Sequence, residues 1–106
     1  SYSFGDIILV RFPYTDSSND KIRPSLVLLD TGDDDIVLAR VTSKNPLVVH
    51  DISLNDWKVA NLPLASTVRL HKINTVVKSK ILDITGKLSK ADNVAVRQHL
   101  QKMWDV

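Results

Sequence analysis

Apolar and polar positions divide the chain into a run of short strands followed by one helix. Residues 6–12, Asp-Ile-Ile-Leu-Val-Arg-Phe, are mostly β-branched or apolar and lie between Gly5 and Pro13, which predicts a strand. Period-two alternation places Ile8, Val10 and Phe12 on one face and Ile7, Leu9 and Arg11 on the other. The polar stretch from Pro13 to Ile22 reads as a loop, long enough for a compact domain to suggest a role in function. Pro24 to Leu29 is a second strand, opened by a proline that suits a first or edge position. Asp30 to Asp35 is a turn, and Ile36 to Thr42 a third strand that forms a hairpin with the second. Residues 47–53 give a fourth strand, and Asn55 to Asn61, with Trp57 inside it, a turn of helix or a wide loop. Thr67 to Leu70 and Ile73 to Val77 read as strand bent near Lys72, and Ile81 to Thr85 as a short strand ending at Gly86.

The period then changes. Val96, Leu100, Met103 and Trp104 recur at helical spacing, flanked by Ala91 and Ala95. Ser89 and Asp92, three apart, resemble a capping box, and Arg97 and Lys102 lie late enough to favour the helix dipole. This predicts a helix from Ser89 to Trp104. Trp104, on the apolar stripe, is expected in the core or at a dimer contact. Five to seven strands and one helix imply a mainly β domain, a small curled antiparallel barrel with a covering helix.

A chain of 106 residues suits one domain, residues 1–106, with no repeat or internal boundary. The absence of cysteine excludes disulfides, thiolate metal sites and a cysteine nucleophile. No apolar run approaches the ~20 residues that span a bilayer, and the first residues lack the features of a signal peptide, so the expectation is a cytoplasmic protein with no membrane partner. A formal net charge of +2 permits a nucleic-acid partner without requiring one.

Several chemistries find no support. Gly5, Gly32 and Gly86 are too scattered for a phosphate-binding loop. His50, His71 and His99 have no metal-ligand spacing, and His99 reads as a solvated helix residue. No metal site and no cofactor are expected. A metal-free mechanism or pure binding remains.

Five blocks then resemble, in order, the MazF/PemK family of toxins: Gly5-Asp6-Ile7-Ile8-Leu9-Val10; Arg23-Pro24-Ser25-Leu26-Val27-Leu28 after a polar loop; Val41-Thr42-Ser43 at a strand end; Ser66 to His71 with Ile73-Asn74-Thr75; and Ile84 to Ser89 before the helix. The resemblance covers nearly the whole chain. It implies an SH3-like barrel of the CcdB/PemK type with a C-terminal helix, acting as a homodimer. It implies a toxin of a type II toxin–antitoxin pair that cuts single-stranded RNA at short sequences without a metal. The partner it implies is a cognate antitoxin, itself able to bind operator DNA. A toxin of the same fold that binds a protein such as gyrase, or a plain RNA-binding module, are the alternatives.

Carried over residue by residue, the resemblance assigns phosphate stabilisation to Arg23 and contact with the scissile phosphate to Thr42, with Ser43 beside it and Lys44 next in line. Arginine suits such a role, since its planar fork meets phosphate bidentately and stays charged. As ordinary groups, Arg23 would blunt a strand edge and the hydroxyls would satisfy local backbone. Arg69 matches an arginine of PemK-type members. The aspartate they carry two residues later is His71 here. Residues two apart in a strand point the same way. His71 is then a candidate for proton transfer, or else a surface or stacking residue. In the loop, Tyr14 is a candidate for base stacking, and Asp16, Asn19 and Lys21 for hydrogen bonds to bases or phosphate. Trp57 is expected to serve packing.

Overall fold

The computed structural model describes residues 1–12 and 21–105. Six antiparallel strands, β1 (Asp6–Phe12), β2 (Lys21–Asp30), β3 (Asp35–Thr42), β4 (Asp51–Ser53), β5 (Thr67–Val77) and β6 (Ile81–Lys87), form one sheet in the order β4-β5-β3-β2-β1-β6. The helix α1 (Lys90–Met103) follows the last strand. The mainly β class and the elements around it agree with the sequence pattern. The sheet is barrel-like in outline, with β4 and β6 as its edges.

Both faces of the sheet carry core, which is why β1 reads as nearly continuous apolar sequence. One face, with Ile7, Leu26, Ala39, Val41, Val68 and Leu70, packs under α1 and the 54–62 segment through Val96, Leu54, Ala60 and Leu62. The other face packs Ile8, Val10, Val27, Ile36 and Leu38 against one another. The two sets are the alternating positions expected for β1. Pro24 lies inside β2, opposite Leu9. The β3 partners of β2 begin only at Ser25, so Pro24 occupies a position open on that side, consistent with its missing N–H.

The expected bend in β5 is a register shift: Ala39 faces Ile73 while Arg40 faces Arg69, so residues 70–72 are extra on the β5 side. The fourth strand is shorter than the expected 47–53. The Asp51 carboxylate accepts hydrogen bonds from the N–H groups of Leu47 (2.8 Å) and Val48 (3.2 Å), and the Asp51 N–H donates to the Val48 carbonyl. That local turn competes with strand pairing and leaves only Asp51–Ser53 extended.

Ser89 caps α1 as expected, its side chain accepting from the Asp92 N–H at 3.1 Å. The Asp92 carboxylate does not reach back as a capping box would. It is buried and accepts from the N–H groups of Asn55 (3.2 Å) and Asp56 (2.8 Å), tying the helix start to the 54–62 segment. Trp57 packs at the edge of the core, as expected. Trp104 does not enter it: the backbone leaves helical angles at this C-cap, and the residue is 58% exposed.

Gly86 is required by close approach. A Cβ there would stand 2.1 Å from the Ala60 carbonyl oxygen, a backbone atom with little room to give. Gly86→Ala is expected to lower unfolding free energy by roughly 1–3 kcal/mol in denaturant titration. An unchanged midpoint would contradict the packing of the 54–62 segment on β6.

Candidate functional site

Strand register builds the site. Ser25 on β2, Arg40 on β3, Arg69 on β5 and Asp51 on β4 are successive cross-strand partners, so their side chains share one face. In the next row Thr42, Thr67 and Ser53 are partners, and Arg23 stands two residues before Ser25 on the same face. This face also holds Ile8, Val27 and Leu38. It is therefore apolar at one end and cationic at the other.

At the cationic end a cleft of about 130 Å³ is lined by Arg23, Arg40, Val41, Thr42, Lys44 and Arg69. Four sequence candidates meet there: Arg23, Thr42, Lys44 and Arg69. The Thr42 hydroxyl accepts a hydrogen bond from the Lys44 N–H at 3.2 Å, which fixes the turn after β3 and leaves the hydroxyl hydrogen able to donate. Ser43 faces a neighbouring depression that includes Asn45, Trp57 and Thr67. Lys21 is exposed at the start of β2, opposite Phe12, and does not line the cleft. Tyr14, Asp16 and Asn19 lie outside the described residues. Arg40 was missed in the sequence. Its signal was there: it stands two residues before Thr42 in a strand, and so on the same face.

A second group adjoins the cleft through Arg69. The Asp51 side chain is 2% exposed. Its Oδ2 takes the two N–H groups of Leu47 and Val48, and its Oδ1 stands 3.3 Å from Arg69 Nε and 3.8 Å from His71 Nδ1. The Arg69 contact is an ion pair by distance, but neither Oδ1 nor Nε gains an aligned hydrogen bond from it. Burial pushes the Asp51 carboxyl up. The two backbone donors, and then the charges of Arg69 and His71, outweigh it and hold the group below its ordinary value. His71 thus lies beside Arg69, as its strand position implied, but outside the lining of the cleft. Asp51 was invisible to motif reading because its partners are on another strand.

His99 corrects an expectation. It is not a solvated helix residue: its Nε2 stands 3.0 Å from His50 Nδ1, and the two rings meet edge to face. Burial, then His50 and Lys102, lower its pKa from the ordinary 6.5. The His50 carbonyl in turn accepts from the Leu70 N–H at 3.0 Å. Among the described residues no group of three or more His, Cys, Asp or Glu side chains could hold a metal ion.

The family model for the PemK-like, MazF-like toxin of type II toxin–antitoxin systems matches residues 3–104. The chain belongs to this family. Its fold is also that of three solved structures. An endoribonuclease in complex with its cognate antitoxin from a mycobacterial species superposes with a TM-score of 0.78 at 16% identity, covering 100% of this chain and 97% of that one. Mycobacterium tuberculosis toxin MazF-mt6 gives 0.76 at 16% identity, covering 95% and 97%. MazF from Deinococcus radiodurans gives 0.72 at 17% identity, covering 99% and 97%. No curated protein sequence matches. No helix among the described residues is long and apolar enough to cross a membrane.

The His50–His99 contact ties the helix to the turn before β4. His99 has a lowered pKa in the fold, so below about 6.5 the unfolded chain binds the proton more readily. The stability is therefore full above that pH and is lost as pH falls through the lowered folded value. Thermal melts from pH 8 to pH 5 should show this decline, and His99→Gln should reduce it. Equal declines in both proteins would contradict the coupling.

Proposed function

We propose that this toxin is a metal-independent, sequence-selective endoribonuclease that cleaves single-stranded RNA and so inhibits translation and growth. The observation that carries the reading is the convergence of Arg23, Arg40, Arg69 and Lys44 around the Thr42 hydroxyl in one cleft. A phosphodiester backbone is the polyanion such a cleft suits. The solved neighbour that is an endoribonuclease and the family's toxin description support it.

In this reading the RNA 2′-hydroxyl attacks its own phosphorus and the bond to the 5′-oxygen breaks. The products are a 2′,3′-cyclic phosphate and a 5′-hydroxyl. Arg23 stabilises the charge gathering on the non-bridging oxygens, Thr42 donates a hydrogen bond to the same phosphate, and Arg40 and Arg69 hold flanking phosphates. His71 transfers a proton. Lys44, Ser43 and Lys21, with Tyr14 and Asp16, bind the strand. The protein works in the cytoplasm as a homodimer, and a cognate antitoxin silences it. The neighbour solved with its antitoxin supports that pairing.

Purified, antitoxin-free protein should cleave a mixed-sequence single-stranded RNA in EDTA and leave cyclic phosphate ends. Arg23→Ala should lower kcat by roughly 10²–10³-fold, the effect of removing one transition-state donor. Intact RNA with and without added metal would overturn the proposal.

A further inference from the structure

We propose that Asp51 is the positioning residue of this site: its buried Oδ1 holds the Nδ1–H of His71 and the guanidinium of Arg69, turning His71 Nε2 outward to the RNA. The inference rests on the endoribonuclease reading.

The two oxygens of Asp51 do different work. Oδ2 accepts both turn N–H groups, from Leu47 and Val48, and that alone would shape the segment before β4. Oδ1 adds nothing to that turn. It is buried, has no aligned donor, and faces Arg69, which lines the cleft, and His71 beside Arg69. A buried carboxylate oxygen without a donor is costly, so its placement calls for a reason beyond the turn. The 3.8 Å separation from His71 Nδ1 is slightly longer than a hydrogen bond, and such contacts commonly tighten when substrate binds.

A carboxylate at Nδ1 has two effects on an imidazole. It fixes the tautomer with hydrogen on Nδ1, leaving the Nε2 lone pair for a proton, and it favours the imidazolium once formed. Nε2 lies across the ring from Nδ1 and so points away from Asp51. The groups facing His71 are Asp51 from β4, Arg69 from its own strand, and His50, whose ring centroid is 6.2 Å away and which leads on to His99 of α1. Among these Asp51 is the one anion.

Nitrogen-15 NMR of the wild-type protein should show neutral His71 carrying its hydrogen on Nδ1. Asp51→Asn keeps an oxygen for the turn and removes the charge. It should move neutral His71 toward the tautomer with hydrogen on Nε2 and reduce kcat roughly tenfold or more with KM within about twofold. Asp51→Asn should cost less in kcat in the His71→Ala background than in the wild type. A wild-type neutral His71 with its hydrogen on Nε2, or a tautomer and kcat unmoved by Asp51→Asn, would overturn the proposal. If Asp51→Asn fails to fold, the wild-type tautomer decides it. A wild type that cleaves no RNA overturns the function proposed above, and the NMR readout then judges Asp51 alone.

Discussion

Arg40 and Arg69 stand directly opposite each other on neighbouring strands, a placement in which like charges repel. The register of the sheet enforces it. A slip of one residue would turn Leu38, Arg40 and Thr42 to the opposite face and bury arginine in the core. The apolar end of the face, with Ile8, Val10, Val27 and Leu38, holds the register, and the arginines bear its consequence. Two things relieve the repulsion. Asp51 supplies a buried anion on the far side of Arg69, and the cleft opens to solvent where a phosphate chain can supply the rest. The site thus gathers like charges that an anionic ligand, as proposed above, would offset.

The segment before β4 links this site to the rest of the molecule. Asp51 turns it, His50 receives Leu70 from β5, and His50 meets His99 on α1. One turn further along, Asp92 at the start of α1 holds Asn55 and Asp56. The helix is therefore more than a cover for Val68 and Leu70. It clamps both ends of the short edge strand that carries Asp51, and its two polar contacts replace the ladder hydrogen bonds that so short a strand lacks.

What could be read in the sequence was what local periodicity encodes. The faces of β1, the extent of β3, the bend in β5 and the Ser89 cap all follow from alternation, helical spacing or side-chain capping within a few residues. The resemblance to toxins brought Arg23, Thr42 and Arg69 into view, and three strands then placed them around one cleft. The misread polar positions share one cause, a side-chain contact that periodicity does not encode. The apolar run Leu47-Val48-Val49 argues for strand until the Asp51 side chain turns it. His99 looks solvated until a histidine far away in the chain meets it, and Asp92 looks like half of a capping box until the 54–62 segment claims its carboxylate. Trp104 sits on the apolar stripe by count but beyond the end of the helix in fact.

The cationic end of this face, rather than any other basic surface, is the proposed receptor for RNA. Lys87, Lys90 and Arg97 form a competing basic surface beside the start of α1. Amide and arginine side-chain NMR signals, followed while an uncleavable 2′-O-methyl single-stranded oligonucleotide is added, separate the two directly. The account predicts shifts concentrated at Arg23, Arg40, Thr42, Lys44 and Arg69, suppressed by high salt. Shifts concentrated at Lys87, Lys90 and Arg97, with the cleft unperturbed, would contradict it.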